Sequence, residues 1–173
     1  MATVRDFRDV LCTYLTRIGL PPTRESIDFI VSKLGSGPFR ELAKMCEVWS
    51  DRSNILWLRY EDIADNFSYL FQQAEDFLDM RWSDVDKEHA QREYSLEANL
   101  KRSKNAHALC DQTNMGGWLD KSWTQYVIDG INGLHITSGG RVGKWKTIIP
   151  EDLHGYVTEL LREPLMDFDY PCE

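Results

Sequence analysis

Val10, Leu11, Tyr14, Leu15 and Ile18 recur at helical spacing directly after Ala2-Thr3-Val4, a stretch with the composition of the end of a buried strand. The chain is therefore expected to turn from strand to helix near Asp6. Thr23 follows Pro21-Pro22 as an N-cap, and Ile27, Ile30, Val31 and Leu34 form a second helical stripe that Gly35 stops. Pro38 opens another helix with Leu42, Met45, Cys46 and Trp49 on one face, and a strand is expected from Ile55 to Tyr60. Residues 82 to 130 are polar, with mixed helical segments broken at Gly116-Gly117 and Gly130. Pro150 starts a last helix whose Leu153, Val157, Leu160 and Leu161 are expected to pack inward. This alternation predicts an α/β fold with a parallel sheet, in a single domain over residues 1–173.

Composition narrows the function classes. A chain of 173 residues that is 42% hydrophobic can bury about two-thirds of its unfolded surface in one core. No apolar run approaches the roughly 20 residues of a membrane helix, so no membrane partner is expected. The N-terminus does not read as a secretion signal, which makes the cytosol the expected compartment. Cys12, Cys46, Cys110 and Cys172 lie far apart without metal-ligand spacing, and the apolar surroundings of the first two suggest buried thiols. A net charge of −8 argues against a nucleic-acid partner, which needs a broad basic face. A single nucleotide needs only a local basic pocket. Two basic clusters exist: Lys101-Arg102 with Lys104, read as a solvated surface, and Arg141 with Lys144 and Lys146 in a glycine-rich loop.

The candidate chemistry begins at Arg5. An arginine on a strand-to-helix corner sits where free N–H groups and the positive end of the helix dipole favour an anion, and Thr13 adds a hydroxyl from the same helix. The alternative is a surface ion pair of Arg5 with Asp6 or Asp9.

Three segments together carry a family resemblance. The corner from Arg5 to Thr13 resembles the 3′-phosphate-binding segment of the sulfotransferases that use 3′-phosphoadenosine 5′-phosphosulfate (PAPS), where an arginine ends a strand and a serine follows in the helix. Asn54-Ile55-Leu56-Trp57-Leu58-Arg59-Tyr60-Glu61-Asp62 resembles the family's second diagnostic strand with its Tyr-Glu-Asp ending, and Phe67, Leu70, Phe71, Ala74, Phe77 and Leu78 make the helix that follows. Gly140-Arg141-Val142-Gly143-Lys144-Trp145-Lys146 is similar to the family's C-terminal Gly-x-x-Gly-x-Trp-Lys loop. The resemblance implies a partial P-loop-like sulfotransferase fold. It implies that Arg5 and Thr13 bind the 3′-phosphate of PAPS or of the product adenosine 3′,5′-bisphosphate, and that Tyr60 and Ser95 border the adenine. It also implies that Ser138, Gly139, Gly140 and Arg141 close over the phosphate, with Trp145 packing the loop on the core. Tyr60 has a plainer reading as a packed ring with a solvated hydroxyl.

The chain departs from the family pattern in three places. Leu96 stands where the family has an aromatic ring, and Ser138-Gly139-Gly140 stands where many members carry Arg-Lys-Gly. The family's phosphate-loop lysine and upstream histidine have no counterpart before Arg5, and His89, His107, His135 and His154 all follow the place of the family base. No catalytic residue and no metal ligand is assigned. The expectation is a chain that supplies the cofactor-binding side of sulfuryl transfer to a small-molecule hydroxyl or amine, inactive alone, and prone to self-association or completed by an N-terminal chain. The alternatives are a nucleotide-binding remnant without transfer chemistry, and a mainly helical interaction protein.

Overall fold

The computed structural model describes residues 1–33, 48, 52–64, 66–95, 97–102 and 140–172. They belong to two compact units, the first made of Met1–Asp79 and Val142–Glu173, the second of Met80–Arg141. In the first unit, β1 (Ala2–Val4) pairs in parallel with β2 (Trp57–Arg59), with Ala2 against Trp57, Thr3 against Leu58 and Val4 against Arg59. The described elements are mostly helical around this two-stranded parallel sheet, which makes the fold broadly α/β.

Helix α1 (Phe7–Ile18) begins where the pattern places it. Asp6 caps it: the carboxylate accepts the Arg8 N–H at 2.9 Å, and the carbonyl accepts those of Asp9 at 2.9 Å and Val10 at 3.1 Å. The helix ends at Gly19, whose φ of 69° is a conformation that suits glycine and lets the N–H groups of Gly19 and Leu20 close back onto Thr16 and Leu15. Phe7, Leu11 and Leu15 are buried, whereas Ile18, in the last turn, is exposed. In α2 (Arg24–Lys33), the Ser26 N–H donates to Thr23 Oγ1 at 3.4 Å, as the N-cap assignment requires, and Ile27 and Ile30 are buried. Leu34 and the expected helix after Pro38, with Leu42, Met45, Cys46 and Trp49, lie outside the described residues.

The strand expected from Ile55 to Tyr60 is shorter at both ends, and Tyr60 instead opens the short helix α3 (Tyr60–Ile63). Glu61 and Asp62 fall in its first turn, where the helix dipole favours negative charge. The expected following helix is α4 (Phe67–Leu78), capped by Asn66 Oδ1 accepting the Tyr69 N–H at 3.1 Å. Ala74 is buried, but Phe77 and Leu78 remain exposed. In the second unit, α5 (Asp84–Tyr94) is capped by Ser83, and residues 97–102 are helical.

Returning to the first unit, the chain forms α6 (Trp145–Ile148), a 3₁₀ turn (Glu151–Leu153), α7 (His154–Leu160) and α8 (Arg162–Met166). Val157, Leu161 and Leu165 join Phe7, Leu11, Leu15, Ile27 and Ile30 in one core. Leu160 differs from expectation and is exposed, because the inward positions are held by Val157 and Leu161, four residues apart on one stripe. No helix among the described residues is long and apolar enough to cross a membrane.

One ion pair is enclosed with this core. Arg8 is 2% exposed, its Nε donates to Asp6 Oδ1 at 2.9 Å and its Nη2 to Asp6 Oδ2 at 2.7 Å. Its Nη1 reaches Thr158 Oγ1 at 3.3 Å, and its guanidinium lies over the Trp145 ring, 4.3 Å from the centroid. Asp6→Ala removes a helix cap and leaves a buried guanidinium without its carboxylate, so it is expected to lower unfolding free energy by about 3–5 kcal/mol in urea titration. Adding Arg8→Met should recover a large part of that loss. A double variant no more stable than Asp6→Ala would contradict this account.

Candidate functional site

The site is built on the first turns of α1. Asp9 is 0% exposed, and a carboxylate there requires donors. They come from both ends of the chain. The Gly143 N–H donates to Asp9 Oδ2 at 2.8 Å, the Trp145 N–H donates to Asp9 Oδ1 at 2.9 Å, and Arg5 Nη2 approaches Oδ2 at 3.3 Å. Asp9 thus binds the glycine-rich loop to the strand-to-helix corner. The positive φ of Gly143, 69°, is the backbone conformation that glycine adopts without strain as the loop turns into α6.

Around this carboxylate the corner gathers three of the residues singled out from sequence. The Arg5 guanidinium lies over the Tyr60 ring, 4.7 Å from the centroid, and its side chain keeps 19% exposure. Thr13 Oγ1 donates to the Asp9 carbonyl at 3.0 Å and accepts from Lys144 Nζ at 2.6 Å. Of the two readings of Arg5, the ion pair with Asp9 is present, but it is not a surface pair, because its carboxylate is fully enclosed. Arg5, Thr13 and Tyr60 therefore share one corner with Lys144, to which the sequence reading gave a place in the glycine-rich loop and its basic cluster but no role.

The neighbours of Tyr60 have structural tasks. Glu61 Oε1 accepts the Asp6 N–H at 2.9 Å and its Oε2 accepts the Tyr170 hydroxyl at 2.6 Å. Asp62 takes Arg59 through two oxygens, Nε at 2.8 Å and Nη2 at 3.1 Å. The triplet at the end of β2 thus fixes the strand to the helix corner and to the C-terminal segment. Burial, with the Glu61 hydrogen bond adding to it, pushes the Tyr170 hydroxyl well above the usual tyrosine range. A cavity of about 280 Å³ lies beside this network, bounded by Asp6, Arg8, Arg59, Glu61, Lys146 and Tyr170 among others.

The remaining site candidates belong to the second unit or lie outside the described residues. Ser95, in the second unit, uses its hydroxyl as a helix cap, accepting the Ala98 N–H at 3.2 Å and donating to the Arg92 carbonyl at 3.4 Å. Gly140 has a φ of 60° and Arg141 is exposed, both at the end of the second unit. Ser138 and Gly139 lie outside the described residues. Trp145 packs on the core as expected, buried and edge-on to His154 at 4.8 Å between ring centroids. His154 Nε2 is 2.8 Å from the Ile149 carbonyl, and His89 Nδ1 is 3.1 Å from Arg92 Nη2.

Sequence reasoning missed Asp9 as the organiser and Lys144 as a member of the corner. A signal for Asp9 was available: it stands four residues from Arg5 and on the stripe that continues through Cys12, an acid on an otherwise enclosed face. Nothing comparable marked Lys144, because its place follows from a loop folding onto α1 from 131 residues away. Comparison with protein-family models, with curated proteins and with solved structures found no match.

The electrostatics of the corner yield a test. Burial, then Asp9, pushes the Cys12 thiol up from about 9 to about 12. The native state therefore keeps a proton that the unfolded chain gives up above pH 9. The contribution of Cys12 is fully present below that pH and is lost as pH rises toward 12. The stability advantage of wild type over Cys12→Ala should accordingly shrink by up to about 1.4 kcal/mol per pH unit on the alkaline side. Unfolding titrations from about pH 8 to about pH 11 measure it, and a constant difference would contradict a buried protonated thiol.

Proposed function

We propose that this chain provides the 3′-phosphate and adenine side of a PAPS site in a P-loop-like, sulfotransferase-type fold. The observation that carries the reading is that Tyr60, from the second matching segment, meets Arg5 and Thr13 of the first at one corner of α1. Arg5 offers a charge-assisted contact to a phosphate oxygen, Thr13 a hydroxyl whose proton turns from the Asp9 carbonyl to the ligand, and Tyr60 a ring that borders the adenine. Asp9 holds the arginine and the glycine-rich loop in place before any ligand arrives, which lowers the ordering cost of binding.

In sulfuryl transfer the acceptor oxygen or nitrogen of a small molecule attacks sulfur, the bond from sulfur to the 5′-phosphate oxygen breaks, and adenosine 3′,5′-bisphosphate leaves. A base takes the acceptor proton, and positive charge stabilises the departing phosphate. The residues of this corner act on neither reacting bond. Their task is to grip the far end of the nucleotide and set its orientation. Retention of that grip without transfer is the alternative function, and it shares the same binding test.

Adenosine 3′,5′-bisphosphate at about 100 times its dissociation constant adds roughly 2.7 kcal/mol to folded-state stability. That corresponds to a rise of about 5–10 °C in Tm for a chain of this size. Adenosine 5′-monophosphate should raise it much less. Equal shifts from the two nucleotides in thermal unfolding would overturn the assigned pocket.

Removing the Arg5 contact separates the ligand role from the ion-pair role. A hydrogen bond to a charged group contributes about 1.5–3 kcal/mol, so Arg5→Ala should weaken bisphosphate binding between about tenfold and more than a hundredfold by isothermal titration. An unchanged affinity in a folded variant would assign Arg5 to the Asp9 pair alone.

A further inference from the structure

We infer that Lys144 is the second cation of the phosphate subsite, acting with Arg5 to select nucleotides that carry a 3′-phosphate. The inference rests on the nucleotide reading above and adds to it a residue and a basis for selectivity.

The geometry is that of a preset pair. Lys144 Nζ is 2.6 Å from Thr13 Oγ1, and the same hydroxyl donates to the Asp9 carbonyl at 3.0 Å. Arg5 Nη2 is 3.3 Å from Asp9 Oδ2. Both cations are thus anchored to a single turn of α1, one at residue 9 and one at residue 13. The backbone on each side of Lys144 is fixed as well, since the N–H groups of Gly143 and Trp145 both donate to Asp9. The ammonium thus meets Thr13 from a backbone that Asp9 fixes on both sides, and none of these contacts depends on a ligand.

Placing a cation there is costly, and the cost has a direction. Lys144 is 4% exposed. Burial holds its pKa below the usual lysine range and the Arg5 charge lowers it further, while Asp9 and Cys12 act in the opposite sense. An uncharged side chain would fill the same space without that penalty. A phosphate monoester, with a charge of about −1.5 to −2 at neutral pH, supplies what two adjoining cations favour, and Thr13 and Arg5 keep partial exposure through which it can approach. The preceding Ser138-Gly139-Gly140 stretch contains no cation, and the Arg141 that follows it is exposed where Lys144 is buried. Lys146, the next basic residue, is exposed and lies 5.7 Å from the Trp145 ring centroid.

The test compares adenosine 3′,5′-bisphosphate with adenosine 5′-monophosphate by isothermal titration on wild type, Lys144→Met, Lys144→Gln and Lys146→Ala, with circular dichroism confirming the fold. Wild type should prefer the bisphosphate. Lys144→Met should lose about tenfold to a hundredfold of bisphosphate affinity while its affinity for the monophosphate stays near wild type. Lys146→Ala should keep the wild-type preference. If Lys144→Met does not fold, Lys144→Gln, which retains a polar partner for Thr13, replaces it with the same expectation. A folded Lys144 variant that keeps the full preference would overturn the inference and leave the nucleotide reading standing. Wild type without any preference for the bisphosphate would overturn both.

Discussion

A carboxylate cut off from water must be surrounded by donors, and Asp9 imposes that requirement at the centre of the first unit. Its two oxygens take the Gly143 and Trp145 amides and the Arg5 guanidinium. These groups come from the first strand-to-helix corner and from a loop more than 130 residues later. Leaving any one out would strand a buried charge or a buried amide, so the corner and the loop form together. Trp145 then covers Arg8, Arg8 closes on Asp6, and Asp6 starts the helix on which Asp9 stands.

A second carboxylate extends the arrangement to the sheet. Glu61 accepts from the Asp6 amide and from the Tyr170 hydroxyl, and that hydroxyl also lies 3.3 Å from the Val4 carbonyl. Asp62 and Arg59 close the end of β2, with Arg59 Nη1 donating to the Asp169 carbonyl at 3.2 Å. The described residues contribute two three-residue strands to the sheet, which give few ladder bonds with which to orient the helices. Here charged side chains at the strand ends add that orientation. The result is a corner whose cations are held in place by the fold itself.

Much of the local structure was legible in the sequence. The start of α1 near Asp6, the Thr23 cap of α2 and the helix that follows β2 all follow from short-range rules of capping and period. The misreadings concern boundaries and faces. Tyr60, expected at the end of the strand, opens a helix instead, because Glu61 and Asp62 favour a helical first turn. Leu160, expected inward with Val157 and Leu161, is exposed because those two hold the inward stripe.

Within the candidate site the division is sharper. Sequence by itself determined the corner, the helix that carries Arg5 and Thr13, and the chemical types of the groups that meet there, because these depend on neighbours within a few residues. Only tertiary structure decided that Asp9 is enclosed rather than solvated, that Tyr60 lies under Arg5, and that Lys144 is directed at Thr13 rather than at water. Those outcomes depend on which distant segment covers the first turns of α1. The physical reason is that burial turns an ordinary charge into one that must be paired, and burial is a property of the packed chain, not of the residue.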